Sequence, residues 1–256
     1  MRIVVKVGTS TLAHATGRLN IKHTAELCTV ISDLKNAGHE VILVSSGAIG
    51  MGVGKLGLKE KPTDIPTKQA AAAIGQCELM YVYDRLFTEY GHTVAQILLT
   101  GADFSAEDRH ANFNNTLSRL LELDALPIIN ENDTIATDEI KVGDNDTLSA
   151  LVAVSARADL LVILSDVDGL YSADPRKDGQ ATLIECVHGV PESIHSLAGE
   201  VGSALGTGGM KTKIKAAKIC MKQGVDTVIA NGAKPELLYN VVEGKGGGYT
   251  RFFTKD

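Results

Sequence analysis

The sequence predicts an α/β fold built on a mainly parallel sheet, and three observations carry that prediction. A β-branched run at 3–7, a helix-spaced segment at 23–37 and a second apolar run at 41–44 follow one another in strand–helix–strand order. Glycine-containing turns, Gly8-Thr9-Ser10 and Ser45-Ser46-Gly47, stand directly after the two strand-like runs. In an open parallel sheet, ligands bind at the carboxyl ends of the strands, where those turns fall.

The first strand, Ile3 to Val7, contains Lys6. Desolvating an ammonium group is costly without a partner. Either the strand is an edge with Lys6 in water, or Lys6 points into a site that supplies an anion. His23 to Ala37 reads as a helix stopped by Gly38, a residue suited to the left-handed position after a helix. Gly52-Val-Gly-Lys-Leu-Gly57 matches a dinucleotide-binding pattern in form, but it begins eight residues after the strand ends, too late for the tight turn that pattern requires.

Thr67 to Glu89 is predicted as a long helix closing at Gly91, and Val94 to Leu99 as a strand. Gly101 to His110 is polar and reads as a protruding loop, a candidate for subunit contact or for a lid. Ala111 to Leu123 is helical, and Pro127 to Ile129 is a strand running into Asn130-Glu131-Asn132-Asp133-Thr134. That turn is either an Asx-rich loop or part of a site. Gly143-Asp144-Asn145-Asp146-Thr147 precedes a helix, Leu148 to Ser155. One such residue suffices as a helix cap, so three leave side chains for other work.

Leu160 to Leu164 is the most apolar strand, followed by Ser165-Asp166-Val167-Asp168-Gly169, which is ordinary turn chemistry or a ligand loop. Gly206-Thr-Gly-Gly-Met-Lys-Thr-Lys213 leads into a helix. Free backbone N–H groups and the positive dipole end suit phosphate oxygens there, and Lys211 and Lys213 add charge. The alternative is a flexible surface loop before a basic helix. Thr227 to Ala230 is a further strand, and Gly244 to Gly248 connects it to a short tail.

The 256 residues carry a net charge of −6 and 44% apolar residues, a globular composition with no general attraction for nucleic acid or anionic lipid. Cys28, Cys77, Cys186 and Cys220 lack metal or disulfide spacing and are expected as buried free thiols in a reducing cytoplasm. No apolar run reaches the roughly 20 residues needed to span a bilayer. A soluble, cytoplasmic protein is expected.

Val-Lys-Val-Gly-Thr-Ser at 5–10, Ser-Ser-Gly-Ala-Ile at 45–49, Asn-Glu-Asn-Asp-Thr at 130–134, Gly-Asp-Asn-Asp-Thr-Leu-Ser-Ala at 143–150, Ser-Asp-Val-Asp-Gly-Leu-Tyr at 165–171 and Gly-Thr-Gly-Gly-Met-Lys-Thr-Lys at 206–213 occur in that order. Together they resemble the glutamate-phosphorylating members of the amino acid kinase family. The resemblance implies a three-layer α/β/α sandwich around a mainly parallel central sheet, as one kinase domain over 1–256. Its substrate lobe would cover about 1–157 and its nucleotide lobe about 158–256.

It also implies ATP-dependent phosphorylation of the γ-carboxylate of L-glutamate with Mg²⁺, feeding proline synthesis. Lys6 and Lys213 would neutralise the moving phosphoryl group, held by Asp146. Ser46, Asp133 and Asn145 would bind glutamate. Lys6, Ser165, Asp166, Thr207, Gly208, Gly209, Met210, Lys211, Thr212 and Lys213 would bind ATP. Metal ligands from the protein are not implied, because Mg²⁺ arrives with ATP. Feedback inhibition by L-proline, hand-off to glutamyl phosphate reductase and a homo-oligomer (dimer or tetramer) are further expectations. Many relatives carry a C-terminal RNA-binding-type (PUA) domain, and this chain is expected to lack one.

Overall fold

The computed structural model describes residues 1–14, 16, 18–136, 144–175, 177–189 and 209–254. Six parallel strands form the body of the sheet: β1 (Arg2–Val7), β2 (Glu40–Val44), β3 (Val94–Leu99), β4 (Leu126–Glu131), β5 (Leu160–Ser165) and, after the short β6 (Cys186–His188), β7 (Asp226–Asn231). The strand order is β3-β4-β2-β1-β5-β7-β8-β6, with β8 (Tyr249–Phe253) antiparallel to β7 and parallel to β6. The chain builds out from β1 on one side through β2, β4 and β3, then returns to place β5 on the other. β1 therefore lies at a switch point, where the carboxyl ends of an open parallel sheet leave a crevice. The sheet runs unbroken from β1 to β5, across residue 157.

Alternate side chains of the strands feed two cores. Ile3, Val5 and Val7 pack with Leu27 and Ile31 of α2 (Ile21–Asn36) and Leu79, Tyr83 and Phe87 of α4 (Ile65–Thr88). Val4, Ile42 and Ile163 face the opposite layer, where they meet Phe113 of α6 (Glu107–Glu122), Leu148 and Val152 of α7 (Asn145–Ser155), and Ala216 and Cys220 of α8 (Met210–Met221). The result is the three-layer sandwich. Lys6 shares a face with Val4 and so points toward α7 and α8. Because β1 is paired on both sides, the edge-strand reading of Lys6 falls away.

Helix starts follow from local chemistry. Asn20 caps α2 by accepting from His23 N–H, and Asp64 caps α4 by accepting from Thr67 N–H at 2.9 Å. Gly38 and Gly91 take positive φ after α2 and α4, as expected. A helix not foreseen, α3 (Ala48–Leu56), begins at Gly47, whose φ of 95° turns the chain out of β2. The glycine pattern at 52–57 belongs to this helix and its end, not to a nucleotide turn.

Gly52 lies at the crossing of α3 with α4. A β-carbon there would come within 1.8 Å of the Ala71 carbonyl oxygen, and one at Gly75 equally close to Ala48 O. Since the obstacle is backbone, the helices must part to admit even one methyl. Gly52→Ala is therefore expected to cost about 1–3 kcal/mol, read as a lowered thermal midpoint. An unchanged midpoint would contradict this packing.

Three sequence expectations are corrected. Gly101 to His110 is not a protruding loop but α5 (Gly101–Ser105) and the start of α6. The Asp103 carboxylate accepts from Thr100 N–H at 2.7 Å and from its hydroxyl at 2.8 Å, a local cap hidden in a polar run. The short tail is largely strand β8, paired in the sheet, and a short helix, α9 (Leu237–Val242), precedes it. β6 was unforeseen as well. Finally, Cys28 and Cys220 are buried, and burial pushes the Cys220 thiol up to about 12, but Cys77 and Cys186 are exposed.

Candidate active site

The carboxyl end of β1 and the first turns of α7 and α8 meet at one buried carboxylate. Asp144 precedes α7 and satisfies its cap, accepting from Thr147 N–H at 2.7 Å and from the Thr147 hydroxyl at 3.0 Å. Asn145 and Asp146 in the first turn are thereby released from capping. Asp146 points into the layer between helix and sheet and is 1% exposed. Its two oxygens divide between two lysines: Lys6 Nζ lies 2.7 Å from Oδ1 and Lys213 Nζ 3.1 Å from Oδ2. The Thr212 hydroxyl donates to Oδ2 at 2.6 Å. Both lysines are buried.

Sequence positions 6, 146 and 213 thus converge on one point. Two buried ammonium groups gathered at one point suit an anion. Gly8 adjoins this group, since a β-carbon on it would lie 3.6 Å from Lys6 Nζ.

Burial alone would push the Asp146 carboxyl up. The ammonium charges of Lys6 and Lys213 outweigh that and hold it down at about 2. A depressed carboxyl stabilises the fold fully above its ordinary value of 3.8, and that contribution is lost as pH falls through 2. The contribution is about 2 kcal/mol. The difference in urea midpoint between the wild type and Asp146→Asn is therefore expected to be flat from about pH 7 to 5 and to shrink below 3.8. A difference that grows on acidification would contradict the pairing.

Beside this charged group lies a polar pocket edge. Asn145 Nδ2 donates to Ser45 O at 2.9 Å, to Ser46 Oγ at 2.8 Å and to Asn130 Oδ1 at 3.1 Å. Asp133 follows β4 in the neighbouring turn and is half-buried. Ser46 and Asn145, 99 residues apart in sequence, are therefore brought into contact.

Across β1, Ser165 ends β5 and donates its hydroxyl to Asp166 at 3.1 Å. Asp166 is exposed, as is Lys211, while Gly209 and Met210 open α8. Gly143, Gly206, Thr207 and Gly208 lie outside the described residues. Asp168 accepts from Tyr171 Oη at 2.9 Å and Asn231 Nδ2 at 3.1 Å, and pairs with Lys234 at 3.4 Å. It ties the turns after β5 and β7 together.

Sequence reading missed Gln76 and undervalued Asn130. Gln76 is buried on α4, and its Oε1 accepts from Asn130 Nδ2 at 2.9 Å. The available signal was a lone amide on the Ala72–Gln76–Leu79–Tyr83 stripe of a buried helix face. Tyr83 was also unremarked, and its hydroxyl meets Ser45 Oγ at 2.9 Å.

The chain is similar to known proteins. Residues 1–231 match the amino acid kinase family. A protein of Clostridium tetani named glutamate 5-kinase is 56% identical over 243 residues, covering 95% of this chain and 91% of that one. One of the same name from Caldanaerobacter subterraneus is 54% identical over 96% of this chain, which spans 66% of that relative's length. Among solved structures, carbamate kinase from Giardia lamblia bound to AMP-PNP superposes with a TM-score of 0.68 at 18% identity, covering 100% of this chain and 98% of that one. UMP kinase from Ureaplasma parvum gives 0.66 at 16% identity, with 98% of each chain covered. At such identities the structural likeness speaks for the fold.

Proposed function

Because the chain belongs to the amino acid kinase family, we propose that it transfers the γ-phosphoryl group of ATP to the γ-carboxylate of L-glutamate, giving L-glutamyl 5-phosphate for proline synthesis. The observation that carries this reading is the convergence of Lys6 and Lys213 on Asp146. Relatives named glutamate 5-kinase, more than 50% identical over nearly the whole chain, supply the substrate.

Phosphoryl transfer demands positioning and charge stabilisation more than covalent chemistry from the protein. A carboxylate oxygen of glutamate attacks the γ-phosphorus as the bond to the leaving ADP oxygen breaks. The acceptor is already ionised at neutral pH, with a pKa near 4.3, so no general base is required. Lys6 and Lys213 face the negative charge gathering on the moving group and the leaving oxygen. Asp146 holds the two ammonium groups apart, one on each oxygen, and Thr212 steadies Asp146.

Ser46, Asp133 and Asn145 bind glutamate in this reading, and Ser165, Asp166 and the segment from Thr207 to Lys213 bind ATP, which brings Mg²⁺ as part of the substrate. The substrate half is assigned to about 1–157 and the nucleotide half to about 158–256. L-Proline as feedback inhibitor, transfer of the labile product to a glutamyl phosphate reductase, a cytoplasmic location and homo-oligomeric assembly belong to the same proposal. Among the described residues, no helix is long and apolar enough to cross a membrane.

The test is incubation with ATP, Mg²⁺ and glutamate, trapping the acyl phosphate with hydroxylamine. Hydroxamate is expected with glutamate and not with aspartate or N-acetylglutamate in its place. No signal above a glutamate-free blank would overturn the assignment.

A further inference from the structure

We infer that Gln76, on the far side of the sheet from the charged cluster, is a positioning residue that fixes which end of the Asn145 amide is offered to the substrate. The inference rests on the reading of the site as a glutamate pocket.

Asn and Gln side chains present a donor and an acceptor of nearly the same shape, so their orientation must come from neighbours whose roles are unambiguous. Two backbone groups supply that here. Ser45 O can only accept, and it lies 2.9 Å from the Asn145 amide, so that atom is the nitrogen. Glu131 N–H can only donate, and it lies 2.9 Å from the Asn130 amide, so that atom is the oxygen. Asn130 Oδ1 then receives Asn145 Nδ2 at 3.1 Å, while Asn130 Nδ2 turns the other way and must find an acceptor. Gln76 Oε1 is that acceptor, at 2.9 Å. Asn130 is 1% exposed, so a lost partner would not be replaced by bulk water.

The chain of amides therefore has one polarity from α4 over the carboxyl edge of the sheet to α7. At its end, both hydrogens of Asn145 are taken by protein acceptors. Asn145 Oδ1 has no partner among the described residues and is left as an acceptor. An acceptor at that position selects a donor on the substrate, and the α-ammonium group is the only donor that glutamate carries at neutral pH. Gln76 thus contributes to choosing an amino acid over a plain dicarboxylate, without touching either.

The test compares glutamate with glutarate, the same dicarboxylate without the amine. Glutamate KM, ATP KM and the inhibition constant of glutarate are measured for the wild type, Gln76→Met and Gln76→Glu. Methionine keeps the volume and removes the strong acceptor. It is expected to raise glutamate KM about tenfold, leave ATP KM within about twofold, and shrink the glutamate-to-glutarate preference about tenfold, the effect of one buried hydrogen bond. The carboxylate of Gln76→Glu still accepts from Asn130. Its added charge repels glutarate, with net charge −2, at least as strongly as glutamate, with net charge −1, so the preference ratio stays at or above that of the wild type even if both bind less well, and this variant tests the proposal alone if the methionine protein does not fold.

A methionine variant that keeps the wild-type ratio, or a glutamate variant that loses it, overturns the role of Gln76. A wild type that forms no hydroxamate from glutamate overturns the activity instead, so the two failures are distinguishable.

Discussion

Lys213→Ala is expected to lower kcat for hydroxamate formation by about 10²–10³-fold, the usual cost of removing one charge-stabilising contact to a transition state. Glutamate KM should change little, because Lys213 lies in the first turn of α8 and Ser46 and Asn145 are held by other partners. The remaining pair, Lys6 with Asp146 at 2.7 Å, stays neutralised, so the variant should fold. Single-turnover and steady-state rates at saturating ATP would measure the effect. Unchanged turnover would remove Lys213 from the reaction.

Asp146→Ala is expected to be worse, in both stability and rate. It takes away the carboxylate that two buried ammonium groups share, and breaking a buried ionic group by removing one member costs about 3–5 kcal/mol. The ends of β1 and α8, which carry the two lysines, then shift apart. That spoils the positive pocket, so activity should fall by more than about 10³-fold, beyond the loss of one contact. Thermal unfolding and the hydroxamate assay together would check this. A variant with wild-type stability would mean that the three charges do not act as one buried unit.

Much of the architecture was legible from local pattern. β1, β2, β5 and β7 were read to within a residue at each end, because buried parallel strands are continuous apolar runs, and the edge strand β3 was read residue for residue. Long helices α2 and α4 were marked by periodicity and by the glycines after them. Failures fell where tertiary context decides. Gly47 to Gly57 was assigned no helix, since glycine is a poor helix former, yet α3 needs glycine at 52 to lie against α4. Gly101 to His110 looked like loop because its polar residues serve as a capping box and a solvent face, not because the chain is irregular.

The site shows the same division. Lys6 was legible alone, since a lysine inside a buried strand needs an anion nearby. That the anion is Asp146, 140 residues away, was implied by the family resemblance, and its physical reason is the strand order that sets β1 beside β5 and beneath α7. The excess of Asx residues before α7 indicated that something besides capping was at work. It did not say which residue caps and which reaches inward, a matter settled by the register of the first helical turn. Gln76 was invisible because a single amide among alanines carries no motif.

The central claim is that both amines act on one phosphoryl group. A crystal structure of the protein with glutamate, ADP, Mg²⁺ and aluminium fluoride, which mimics the group in flight, tests it most directly. Lys6 Nζ and Lys213 Nζ are each expected within hydrogen-bonding reach, about 3 Å, of the fluoride shell or the oxygens flanking it. A fluoride group touched by neither lysine, or bound in a different cleft, would contradict the account.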